Sequence, residues 1–418
     1  MNKRQINYNK LGGDLFMKVL KPFYYDDFKC IGGQCIDNCC SNNWTIDIDE
    51  KTYKKYKKLK GDWGKRINSN ISRNRSKGKE NHFRYGKINL KNGKCELLTE
   101  EGLCTLHRDL GEKYLCMTCK IYPREVKKYG EIYEKNLSLS CPEVACYLVK
   151  NNNVFSFNMD DEGLTEIEKE VVSYGDDNKR LYSLIWDSRN LAIEIVQFKE
   201  ISLWKRIVFL KMLTDKVQNV IKNSNYSEYE EILKIFRSQI TDINIINSLD
   251  NISVIPAVKV KFIQSVLQAR KNIGISNEKF NNLIDEYNEL VKNDDENKDT
   301  FELVIEKEKE FNISLKEYED IFENLLVYLV YKHFMNAVNT KDLNKECNNI
   351  IISYAVIKML LLARWFKNSK NLTEDDFVEV FYVFSRVIEH NEVFLTDLNN
   401  KLKEEGYDTI AYLTILVR

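Results

Sequence analysis

Ten of the eleven cysteines fall between Cys30 and Cys146, spaced Cys30-x4-Cys35-x3-Cys39-Cys40, then Cys95-x8-Cys104-x11-Cys116-x2-Cys119-x21-Cys141-x4-Cys146. Thiolates are soft donors that select zinc, Cu(I) or iron–sulfur clusters. Four on one centre close a structural zinc site or hold a [4Fe–4S] cluster, and the spacing alone does not choose between them. Gly32 and Gly33, between two candidate ligands, allow the tight turns that wrapping a cluster needs. The adjacent pair adds a constraint. In an extended segment Cys39 and Cys40 point to opposite faces, so either one ligates while the other packs, or they face two centres. Buried free thiols behave as small hydrophobes, the reading for Cys347 and Cys146. His107, three residues after Cys104, reads equally as a ligand or as a polar residue beside a turn.

The compartment decides how so many thiols are used. The segment "MNKRQINYNKLGGDLF" holds no apolar stretch of signal-peptide length, and no run approaches the ~18 apolar residues of a membrane helix. A cytoplasmic chain is expected, with no membrane and no nucleic acid as partner. There cysteines serve as metal ligands or redox groups rather than disulfides. The net charge of zero hides an asymmetry. Residues 1 to 150 carry 30 Lys and Arg against 18 Asp and Glu, and the remainder 33 against 45. The two halves attract each other, or one presents its charge to a macromolecule.

These residues must be positioned by a chain with only four prolines, so long helices are expected. The fold class is mostly α: an irregular Cys-rich, metal-binding N-terminal domain with short strands, then an all-helical C-terminal domain. The boundaries expected are an N-terminal extension over 1–16, the Cys-rich iron–sulfur or zinc domain over 17–150, and the helical domain over 151–418. "WTIDID" alternates like a strand, and Asp49 starts a basic helix after it. "ISRNRSKGKENH" and "LVKNDDENKDT" are a polar loop and an exposed connection. Residues 181 to 222 make one long helix or two consecutive ones. Thr373 with Asp376, Ser314 with Glu317 and Ser227 with Glu230 have the spacing of capping boxes. After the first, Phe377, Val380, Phe381, Phe384, Val387 and Ile388 form one apolar stripe. No G-x-G-x-x-G follows a strand, which argues against a Rossmann-type enzyme. The radical S-adenosylmethionine triad C-x3-C-x2-C fails at Asn42.

Taken together, "FKCIGGQCIDNCCSNNWTIDID", "CELLTEEGLCTLHRDLGEKYLCMTCKIYPR" and "LSLSCPE" resemble the flagellin lysine-N-methylase family. The first two segments are also similar to the CxxCxxCC group of zinc- or iron-chelating domains, and "FVEVFYVFSRVIEHN" resembles the family's closing helices. The resemblance implies a protein-lysine N-methyltransferase that modifies flagellin with S-adenosylmethionine and depends on a [4Fe–4S] cluster, with zinc as the alternative metal. It implies Cys30, Cys35, Cys39, Cys40, Cys95, Cys104, Cys119 and Cys141 as metal-site positions, with Cys116 and Cys146 in a second tier. The competing reading is a non-catalytic zinc- or iron-binding interaction module on a helical scaffold.

Physical chemistry constrains such a transfer. A lysine ammonium has no lone pair, and roughly one in two thousand is neutral at pH 7. A polar methyl transfer therefore needs a base or a desolvating pocket; Glu143 and Asp47 are the candidates for the proton. Aromatic faces hold methylated amines and sulfonium groups by cation–π attraction. Trp44, Tyr122 and Tyr133 lie among the cysteines, with core packing as the bland alternative. Arg124 suits the carboxylate of the cosubstrate, or else a salt bridge that fixes its loop.

Overall fold

The computed structural model describes residues 17–41, 44–75, 82–174, 178–273, 277–292 and 299–418. The 1–16 extension, the middle of the polar loop in 71–82 and most of the 290–300 connection lie outside them.

Among the described residues the strands are β1 (Met17–Pro22), β2 (Ile46–Ile48), β3 (Ile71–Arg73), β4 (Gly86–Ile88), β5 (Leu90–Lys91), β6 (Lys94–Cys95), β7 (Arg124–Tyr129), β8 (Ile132–Leu137), β9 (Phe157–Glu162) and β10 (Ser173–Tyr174). A five-stranded mixed sheet runs β10-β7-β8-β1-β9, with β1 parallel to β8 and antiparallel to β9. The small sheet β2-β4-β3 and the β5-β6 hairpin belong to the Cys-rich lobe. That lobe has its own core of Ile46, Ile48, Tyr56, Ile67, Ile71, Ile88, Leu97 and Leu106, which also buries Cys95 and Cys116. After residue 150 the regular elements among the described residues are helices apart from β9 and β10, and both strands return to the large sheet. The polar stretch 150–163 thus supplies an edge strand, whose acidic Asp160 and Glu162 face Lys21 of β1. Charges on an edge strand discourage further pairing.

The helical body packs around Leu343–Lys367, a 25-residue helix buried on nearly all sides. Its most apolar 18-residue window has a mean hydropathy of 1.5, enough by length and composition to cross a membrane, and 89% of that window is buried inside the protein. The expected stretch over 181 to 222 is two helices, Lys179–Val196 and Leu203–Asn223. Thr373 and Asp376 form the capping box, and all six apolar residues of the stripe after it are buried. The other two caps do not form. Ser314 ends the helix Thr300–Ser314 and is followed by a 3-10 turn. Ser227 lies inside the turn Tyr226–Glu228 and its hydroxyl donates to Asn225. A cap needs a non-helical residue before the helix, and at Ser314 the preceding turn is already helical.

Sheet and helices are tied by polar contacts. The Tyr331 hydroxyl is within hydrogen-bond distance of the carbonyls of Leu20 and Lys135, and Arg189 grips Glu134 of β8 with both ends of its fork, at 2.8 and 2.7 Å. A second cluster joins Lys332, His333 and Glu389, with Glu389 3.1 Å from Lys332 and 3.2 Å from His333. Burial pushes the Glu389 carboxyl up, but the Lys332 ammonium and the His333 hydrogen bond outweigh it and hold it far below the carboxylate range. A depressed carboxyl contributes stability above about pH 4.3, its unfolded value, and loses it as pH falls towards the folded one. His333 shifts the other way: burial lowers it, but Glu346 and Glu389 raise it further. Its contribution is complete below about pH 6.5 and fades as pH rises through its folded value. Urea unfolding from pH 3 to 8 is expected to show stability lost on the acid side, and Glu389→Gln to flatten that limb.

Candidate functional site

The first two cysteine segments meet at a close approach between two loops. Gly32 has φ +56°, and a Cβ on Gly33 would stand 2.6 Å from the carbonyl oxygen of Glu101. The Asn38 side chain donates to the Gly102 carbonyl at 2.7 Å and accepts from the Cys40 N–H at 2.8 Å. This pair of bonds sets the 30–40 loop against the turn that precedes Cys104. Gly33→Ala is therefore expected to part the two loops and lower the melting temperature, read by calorimetry.

Asp49 places the next two sulfurs. One carboxylate oxygen accepts from Thr52 N at the start of the helix Glu50–Lys58, and the other from Met117 N at 3.0 Å. Met117 opens the short helix Met117–Ile121, so Cys116 and Cys119 are held one turn apart with their sulfurs 3.5 Å from each other. Cys141 caps the helix Pro142–Val149, with Pro142 in its first turn.

These segments border one mostly apolar cavity of about 470 Å³, between the Cys-rich lobe and the helical body. Seven of the eight expected metal-site cysteines line it: Cys30, Cys35, Cys39, Cys40, Cys104, Cys119 and Cys141. Cys95 lies behind it in the lobe core beside Cys116. The adjacent pair departs from expectation. Cys39 and Cys40 sit in a 3-10 turn, not an extended segment. Such a turn rotates successive side chains by about 120°, which lets both border the same space. All eleven cysteines are free thiols. Cys347 is fully buried in the helical core, and Cys146 is half-buried against it.

The sulfurs fall into two electrostatic neighbourhoods. Cys35 feels Cys39 and Cys30, and Cys141 feels Cys35 and Cys39; Cys40, Cys95, Cys104, Cys116 and Cys119 act on one another. Burial pushes Cys95 up to about 11 and Cys141 up to about 12. A hydrogen bond with Cys40 holds Cys39 down to about 7, and one with Cys119 lowers Cys116. Among the described residues no three His, Cys, Asp or Glu side chains stand in ready metal-binding geometry. The donor set nonetheless suits a soft metal centre: seven free thiols line one mostly apolar space, and the Cys39–Cys40 and Cys116–Cys119 pairs are each joined by a thiol hydrogen bond whose proton a metal would displace.

Aromatic and basic groups complete the wall. Trp44 packs edge-on against Tyr122 with ring centroids 5.5 Å apart, and Arg124 lines the cavity above the Phe28 ring. Tyr133 is in the sheet, beneath Lys128, away from the cavity. Neither expected proton acceptor lines it. Glu143 acts on Cys146 and Tyr147, and Asp47 pairs with Arg84 at 3.4 Å, its carboxyl raised by burial. His107 borders the cavity from an exposed position.

Arg386 is the wall residue that sequence reasoning missed. It reaches in from a π-helical turn, Ser385–Glu389, and is 4% exposed. Its guanidinium donates to the Ser140 carbonyl at 2.7 Å and the Asp37 carbonyl at 2.8 Å, and pairs with the Asp37 carboxylate at 2.8 Å. It also lies 5.6 Å from the Trp44 ring. One side chain thus links the cysteine loop, the segment before Cys141 and the far end of the chain. In the sequence it lies off the apolar stripe, nine positions after Phe377 and so on the opposite helical face, and no local signal marks it.

The family of the FliB lysine N-methylase C-terminal domain matches residues 189–416. A lysine-N-methylase of Salmonella choleraesuis (strain SC-B67) is 25% identical over 388 residues, which is 89% of this chain and 92% of that protein. That of Salmonella typhimurium (strain LT2) is 24% identical over the same shares. The flagellar biosynthetic protein FliU of Salmonella muenchen is 34% identical over 135 residues, 32% of this chain and 78% of FliU. No solved structure matches the chain.

Proposed function

We infer that this chain, which belongs to the FliB lysine N-methylase family, is a protein-lysine methyltransferase acting on flagellin in the cytoplasm, with S-adenosylmethionine as donor and a cysteine-held [4Fe–4S] cluster. The observation that carries the reading is the single cavity shared by seven cysteines, Trp44, Tyr122, Arg124 and Arg386. The names of the relatives support lysine as the target and the flagellum as its setting, and the free thiols suit a reducing compartment.

Cys30, Cys35, Cys39 and Cys141, all on the cavity wall, and Cys40, Cys104 and Cys119 beside them would supply the thiolate ligands. A cluster held by them would supply a Lewis-acidic, reducible iron centre. The protein's own groups do the rest. Arg386 is held by Asp37 and two carbonyls, whereas Arg124 forms no salt bridge among the described residues and is free to pair with the methionyl carboxylate. Trp44 and Tyr122 present π-faces suited to a sulfonium or a methylated ammonium. The apolar lining lowers the pKa of an entering lysine by disfavouring its charged form. The transfer then needs that neutral amine: its lone pair forms the N–C bond while the C–S electron pair leaves with the thioether sulfur.

Coexpression with a flagellin, followed by mass spectrometry of its peptides, tests the activity. Lysines heavier by methyl increments are expected only when the intact chain is present. Unmodified lysines beside a correctly folded, metal-loaded protein would reject flagellin as the substrate.

A further inference from the structure

Methylating an ammonium releases a proton, and neither Glu143 nor Asp47 borders the cavity. A different path starts at Tyr122. Its hydroxyl lies 3.0 Å from Ser140 Oγ, which lies 2.9 Å from Ser138 Oγ, which in turn lies 2.8 Å from His390 Nε2. Either oxygen can be the donor in the two hydroxyl–hydroxyl bonds, and the role of the His390 nitrogen depends only on its tautomer. Ser138 and Ser140 are 2% and 0% exposed, so bulk water does not replace them as partners. The two ends differ. Tyr122 borders the cavity, while His390 is exposed at the surface.

Resting on the reading of the cavity as the place of lysine methylation, we propose that Tyr122, Ser140, Ser138 and His390 form a proton relay that carries the lysine proton out to solvent. The substrate ammonium gives one proton to the Tyr122 oxygen. Each hydroxyl passes its own proton one step on, and His390 Nε2 takes the last as an imidazolium, which releases it to water. The amine, now neutral, attacks the sulfonium methyl; the new N–C bond uses its lone pair and the C–S pair stays on sulfur. One proton leaves for each methyl added, and the product amine keeps the charge of the sulfonium. No oxidant or reductant is required.

The surroundings hold the path in place. Arg386 donates to the Ser140 carbonyl, the Pro123 carbonyl accepts from the Ser138 N–H at 2.8 Å, and the Trp44 ring centroid stands 5.5 Å from that of His390. The charged groups that act on His390 are Lys332 from the helix Glu319–His333, Glu125 from β7, and Arg386 and Glu389 from the turn just before it. Although one side of His390 is exposed, the protein packed behind it and the Lys332 ammonium pull its imidazole below the usual value, against Glu389 and Glu125. It is therefore neutral, and ready to accept, near pH 7.

Tyr122 is the catalytic residue of the relay; the serines and His390 act through it. The test is the pH profile of flagellin methylation by the metal-loaded chain and by Ser138→Ala, Ser138→Thr, Tyr122→Phe and His390→Gly. The alanine, phenylalanine and glycine variants are expected to lose ~10²-fold at pH 7, the usual contribution of positioned proton transfer. The deficit should shrink as pH rises and supplies neutral lysine. Ser138→Thr, which keeps the hydroxyl, should retain most of the rate, and added imidazole should restore His390→Gly. Folded, metal-loaded variants with the unaltered rate and pH profile would overturn the relay while leaving the methyltransferase reading intact. A parent chain without methylation would overturn both.

Discussion

Cys39→Ser is expected to strip most of the bound iron and to cut flagellin methylation by at least ~10²-fold. Cys39 adjoins both sulfur neighbourhoods, acting on Cys35 and Cys141 on one side and on Cys40, Cys95 and Cys104 on the other. A serine hydroxyl is a hard donor that stays protonated, so the ligand is lost with almost no change of shape. Removing even an outer partner of a metal ligand costs 10- to 100-fold in affinity or activity, and a ligand costs no less. Cys347→Ala is the control: its thiol is fully buried in the helical core, far in sequence from the others. It should lose some stability and keep its iron. Iron analysis with activity on the same preparations decides it. Iron retained in Cys39→Ser at the parent level would remove Cys39 from the ligand set.

Glu308→Ala is expected to destabilise the chain by about 3–5 kcal/mol. Glu308, Lys259 and Lys358 are 2%, 0% and 3% exposed, and the carboxylate meets both ammonium groups at 2.7 Å. Burial already drives Lys259 down to about 8, with Glu308 opposing the shift. Without the carboxylate two ammonium groups remain in a dry core, each having to lose its proton or to open the packing. Replacing all three by apolar residues of similar volume, as in Lys259→Met with Glu308→Leu and Lys358→Met, should recover most of the loss. Urea unfolding midpoints measure both. A Glu308→Ala variant with the parent midpoint would show that the ammonium groups reach water by another route.

The parts of the molecule that could be read in advance are those set by local rules. Asp49 and Thr373 cap helices because a short polar side chain there meets free N–H groups, and the stripe from Phe377 to Ile388 keeps one face through about three turns. The crowding of ten cysteines between Cys30 and Cys146 pointed to thiols gathered in one place, and seven of them line one cavity. The rest depends on partners distant in sequence. β9 is a strand because β1 pairs with it, not because "FNMDDE" favours strands. Ser314 carries the spacing of a cap but follows a helix that has not ended. Cys39 and Cys40 share a face because Asn38 folds them into a turn against Gly102. Arg386 lies 349 positions from the Asp37 carbonyl it meets, and no local pattern encodes that distance. The same holds for the hydroxyl path from Tyr122 to His390, whose last step spans 252 positions.

Iron and acid-labile sulfide, counted on the chain purified without oxygen, test the proposed centre most directly. Convergence of the cavity thiols on a [4Fe–4S] cluster requires a brown protein with about four irons and four sulfides per chain, both lost in Cys39→Ser. A colourless protein carrying zinc, or an iron content that Cys39→Ser leaves unchanged, would contradict it.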